Sequence, residues 1–82
     1  MVEYHVMLKR HQGSSRPDVC ICRDENRDAA LRAMRNYGKA YGFSVEDQDG
    51  RHTIADIVLV EKEPIHGAPV LSVTPYRELF DD

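Results

Sequence analysis

One stretch limits what this chain can fold into. Arg23 to Gly42, RDENRDAALRAMRNYGKAYG, carries a sustained helical period, whereas the segments on either side read as strand or turn. At about 100° per residue, Ala30, Ala33, Met34, Tyr37 and Tyr41 fall on one side of such a helix. Asp28, Arg32, Arg35, Asn36 and Lys39 gather on the other. Asp24 is the expected N-cap, because its carboxylate can accept from the open N–H groups of the first turn. Gly42 is the expected end, since Tyr41 continues the apolar stripe and glycine enters the left-handed region cheaply.

The strands are read from alternation. In Val2 to Arg10, Tyr4, Val6 and Leu8 share a core face, and His5, Met7 and Lys9 share the other. HQGSSRPD (residues 11–18) is a polar loop, and Val19 to Arg23 is a short apolar strand, which makes an antiparallel hairpin the simplest connection. After the helix, Phe43 to Asp47 is a half-exposed strand. Asp49-Gly50 is a hairpin turn in which both positions accept positive φ. Arg51 to Lys62 reads as one long strand, apolar on both faces through IADIVLV apart from Asp56. Pro64 stops it, residues 66–69 turn, and Val70 to Thr74 is a short C-terminal strand ended by Pro75.

The order is therefore β-β-α-β-β with a short fifth C-terminal strand. It gives an α+β fold with one helix packed on one face of an antiparallel or mixed sheet. Residues 1–82 are too few to fill a second core, so they form a single domain, with 75–82 as a short tail that can dock as one helical turn. One helix covers one sheet face. The second face, for which Ile57, Leu59, Met7 and His5 are the candidates, needs cover from the tail, a second copy or another protein.

Charge separates the remaining functional classes. A formal charge of −3 and a pI near 5.7 argue against a generic nucleic-acid binder. A basic patch can still sit on a mildly acidic body. The helix offers one in Arg32, Arg35 and Lys39, supplemented by Arg27 and by Arg16 of the first loop. Against it stands the plainer expectation of a solvated helix face, together with the lack of tryptophan for base stacking.

Catalytic and metal signatures are weak. Cys20 and Cys22, two residues apart on a strand, are expected on one face with parallel thiols, a poor geometry for an intramolecular disulfide. With His5, His11, His52 or His66 they lack zinc-knuckle spacing, so they read as two small apolar side chains in a reducing, cytoplasmic setting. Asp47-Gln48-Asp49-Gly50 resembles the start of a calcium loop but has no downstream glutamate. Neither Ser14-Ser15 nor Ser44 sits in a nucleophile elbow. No apolar run approaches the roughly 20 residues that span a bilayer, and no basic region precedes the first apolar residues as in a signal peptide. The expected function is that of a non-enzymatic protein-binding or regulatory module, a homodimer, without cofactor or metal. A nucleic-acid-binding domain using the helix face is the alternative.

Overall fold

In the computed structural model, which describes residues 1–80, the chain is α+β with the order β1 (Glu3–Lys9), β2 (Val19–Asp24), α1 (Arg27–Tyr41), β3 (Ser44–Asp47), β4 (Gly50–Thr53), β5 (Asp56–Lys62), β6 (Val70–Pro75) and α2 (Tyr76–Leu79). A four-stranded antiparallel sheet runs β2-β1-β5-β6, and β3-β4 is a separate hairpin. The predicted C-terminal strand is present as β6, at one edge of the sheet. Residues Asp81 and Asp82 of the tail lie outside the described residues.

The long strand expected from Arg51 to Lys62 is two strands. Ile54 and Ala55 break it, because each gives its amide to a different part of the chain. Ile54 N–H donates to the Phe43 carbonyl at 3.0 Å and Ala55 N–H to the Lys9 carbonyl at 2.8 Å. Ile54 itself is buried in the core. An apolar run does not reveal such a change of partner, since both halves satisfy the same strand pattern.

Helix α1 starts later than expected. Asp24 ends β2, and its carboxylate accepts from Asn26 N–H at 2.7 Å. Asn26 is the N-cap, with its side-chain oxygen accepting from Ala29 N–H at 3.1 Å. Asparagine and aspartate cap about equally well, and because β2 runs through Asp24 the helix start falls at Asn26. Gly42 ends the helix as expected, with φ 65° and its N–H donated to the Gly38 carbonyl.

Ala30 and Met34 of α1 are fully buried against Val6 and Leu8 of β1 and Ile57 and Leu59 of β5. Leu31 packs beside them. Tyr41, expected in this stripe, is instead 50% exposed and rests its ring 4.8 Å from that of Tyr37. Tyr76 of α2 joins the same core, so the C-terminal turn docks on the α1 side. Its ring closes over Gly38, where a Cβ would stand 2.5 Å from the ring carbon Cε2.

Register decides which residues face away from α1. Val6 opposes Leu59 and Leu8 opposes Ile57, both pairs beneath the helix. His5 opposes Val60 and Met7 opposes Val58, one residue out of phase and so on the other face. The sequence-based grouping is thereby corrected. Ile57 and Leu59 belong to the covered side, and Val58 and Val60 take their place beside Met7 and His5. Among the described residues no helix lies on this second face.

Candidate functional site

The second face is not evenly open. At its centre His5 is only 9% exposed and Val58 is buried as well. The β5–β6 loop closes over one end, where Glu3, His5, Arg23 and Lys62 line a cleft of about 290 Å³ together with Glu63 to His66. His5 Nε2 lies 3.2 Å from Glu3 Oε1, and Arg23 Nε approaches the same oxygen at 4.0 Å. Two carboxylates and two permanent cations line the cleft, so its charge is internally balanced.

Apolar exposure is found instead on β6. Val70, Leu71 and Val73 are 51%, 53% and 55% exposed, and Ile65 of the preceding loop is exposed too. Val70 opposes Lys62 and Val73 opposes Val60, which places both on the second face, while Leu71 is the extra residue where the register shifts. From Val70 to Pro75 the strand holds no charged side chain. Natural edges are blunted by charge, proline or a bulge; the opposite edge, β2, carries Arg23 and Asp24, and β6 carries Pro75 and the register shift at Leu71 in place of charge. The sequence held a signal for this: a short uncharged run between Pro69 and Pro75 suits an edge position, where a missing N–H costs no ladder bond.

The two cysteines are parted by a bulge. Register shifts between Val6 and Met7, so Cys22 opposes Val6 on the α1 side and Cys20 opposes Met7 on the second face. The expectation of two thiols on one face fails because one extra residue in a strand reverses the alternation. Both thiols are free, and burial, with Asp24 nearby, pushes the Cys22 pKa up.

The first loop and the β3–β4 turn are joined by a charge network. Arg10, its side chain 7% exposed, gives both terminal nitrogens to Asp47 at 3.1 Å each. Arg16 bonds Asp49 and lies 3.6 Å from Asp47, and His52 Nε2 is 3.0 Å from Asp49. Asp18 accepts from Arg10 N–H at 2.8 Å and pairs with Lys9 at 2.7 Å. Ligand atoms of Asp47, Asp49 and His52 come within 4.8 Å of one another. Two guanidinium groups already occupy their carboxylates, so the cluster is complete as an ion-pair network.

The network makes a pH prediction. The hydrogen bond from Arg10 lowers the Asp47 pKa, and those from His52 and then Arg16 bring Asp49 from its ordinary 3.8 to about 2. The Arg10 backbone bond and then Lys9 lower Asp18. A carboxylate with a depressed folded pKa stabilises the fold above its unfolded pKa and loses that contribution as pH falls through the folded one. Urea midpoints should therefore hold from about pH 7 to 5 and drop between about pH 4 and 2. Arg16→Ala should reduce that drop, and an unchanged profile in this variant would contradict the assignment.

The helix-face candidates divide. Arg27, Arg32, Arg35 and Lys39 are all exposed, and the Arg35 guanidinium also sits 5.8 Å from the Phe80 ring centroid. Arg16 is removed from the stripe by its two aspartates. No helix among the described residues is long and apolar enough to cross a membrane. Comparison with known protein families, curated proteins and solved structures returned no match for this chain.

Proposed function

We propose that this chain is a non-enzymatic protein-binding module, regulatory or accessory in role, whose working surface is the β6 edge with the adjoining second face of the sheet. One observation carries the reading: Val70, Leu71 and Val73 are each more than half exposed on an uncharged edge strand. Exposed strand edges take up a further strand through main-chain hydrogen bonds, and neighbouring side chains supply selectivity. A small domain with a modest core also gains stability from the area such docking buries. Two free cysteines are in keeping with a reducing, cytoplasmic setting.

The alternative, nucleic-acid binding by α1, draws on the exposed Arg27, Arg32 and Lys39 and loses the support of Arg16. One pair of variants separates the readings. Val73→Lys should abolish protein association while leaving the far-ultraviolet circular dichroism spectrum unchanged. Arg32, Arg35 and Lys39 changed together to glutamate should leave protein association intact. Loss of nucleic-acid retention at low salt in the triple variant, with protein association indifferent to Val73→Lys, would reverse the conclusion.

A further inference from the structure

We propose that the cleft under the β5–β6 loop binds a small zwitterion of the α-amino-acid type, which carries one ammonium and one carboxylate. The site is separate from the β6 edge and does not depend on that edge binding a protein. Register builds its floor. Glu3 opposes Lys62 and His5 opposes Arg23, so β1 brings acid and base together at one end of the second face. Strand β5 ends at Lys62, which frees Glu63 from the strand alternation, and both residues line the cleft. Its volume of about 290 Å³ suits a small ligand, since ligand sites begin at about 300 Å³.

The groups left without partners define the ligand. Glu3 is taken, since its Oε1 faces His5 Nε2 at 3.2 Å and Arg23 Nε at 4.0 Å. That contact holds the Nε2 proton toward the carboxylate, so in the neutral ring Nδ1 is an acceptor. Nδ1 makes no hydrogen bond among the described residues, although His5 is almost wholly buried at the cleft. The half-buried Lys62 ammonium and the Glu63 carboxylate likewise hold no ion pair or hydrogen bond among the described residues. One cationic donor and two acceptors are thus unmet on the walls of one cleft. A plain anion would satisfy Lys62 but meet Glu3 and Glu63, and a plain cation would meet Arg23 and Lys62. A zwitterion satisfies both sets. Its carboxylate takes Lys62, and its ammonium donates to Glu63 and to His5 Nδ1.

The test titrates the standard L-amino acids into the native chain and follows backbone amide shifts by NMR. At least one should bind with a dissociation constant below ~1 mM and shift the amides of Glu3, His5 and Lys62. Removing one charge from that amino acid, as its N-acetyl form or its methyl ester, should weaken binding at least ~10-fold through a lost charge-assisted bond. Lys62→Gln should weaken the free amino acid at least ~10-fold and spare the methyl ester, which has no carboxylate for Lys62 to hold. Glu63→Gln should weaken the free amino acid equally and spare the N-acetyl form, which has no ammonium. Both side chains lie outside the core, so neither variant removes core packing. No binding by any amino acid at ~10 mM would overturn the proposal. An N-acetyl form or ester that binds as tightly as its parent would also overturn it, as would shifts confined to residues away from the cleft. Acetate that binds as tightly as the free amino acid would overturn it in favour of a plain anion site.

Discussion

Replacing Met34 with alanine is expected to remove about 2–5 kcal/mol of folding stability, the usual cost of truncating a fully buried methionine. Met34 lies wholly inside the core, between the helix axis and the β1–β5 floor of Val6, Leu8, Ile57 and Leu59. This single layer of contacts holds α1 to the sheet, so there is little to collapse into the space left by the side chain. For a chain of 82 residues, stabilities of about 0.05–0.15 kcal/mol per residue sum to roughly 4–12 kcal/mol. The substitution therefore consumes a large share of the total, and the melting temperature should fall by about 4–8 °C per kcal/mol lost. Tyr41→Ala is the matched control. Tyr41 occupies the same predicted stripe but is half exposed, and its loss should cost under about 1 kcal/mol. Circular dichroism melts of the two variants check both numbers. Equal losses would mean that the burial difference between Met34 and Tyr41 does not govern how α1 is held.

That pair of residues shows how far the sequence could be read. Period and turn chemistry gave the main helix α1, its end at Gly42, both faces of β1 and the antiparallel β1–β2 hairpin, because each of these rests on local patterns. Three errors came from choices made at a distance. Ile54 and Ala55 divide an apolar run by bonding to Phe43 and Lys9, and nothing within the run marks that point. A bulge opposite Val6 and Met7 reverses Cys20 against Cys22. The phase of β5 against β1 puts Ile57 and Leu59 under the helix, and a strand apolar on both faces carries no internal record of that phase. The candidate site moved for the same reason. Its exposed residues lie on β6, whose edge position follows from sheet order rather than from its own composition. Arg10 and Asp47 were equally hidden, as their pairing spans 37 residues of chain.

Gly38 supplies the second large effect, and its sign is what makes it informative. Glycine inside a helix usually costs about 1 kcal/mol relative to alanine, so Gly38→Ala would ordinarily stabilise an exposed helix by that amount. Here the new methyl would meet the Tyr76 ring at 2.5 Å from Cε2, 2.6 Å from Cζ and 2.7 Å from the hydroxyl oxygen. Tyr76 cannot simply swing aside. Its ring is 5.9 Å from Phe43 in an edge-on arrangement and 4.8 Å from Phe80, and it forms part of the buried core. Forcing extra volume into such a site costs about 1–3 kcal/mol, so the variant should be less stable than the native chain despite its better helix former. A double-mutant cycle isolates the cause. In a Tyr76→Ala background, itself destabilised by the lost ring, the same Gly38→Ala change should become stabilising by about 1 kcal/mol. If Gly38→Ala raised the urea midpoint in the native background as well, α2 would not be pressed against α1. If it lowered the midpoint in both backgrounds, the cost would lie in the helix backbone rather than in the aromatic contact. Reversal of sign between the two backgrounds is the outcome that ties the C-terminal turn to the helix, and with it the Pro75 end of β6 to the core.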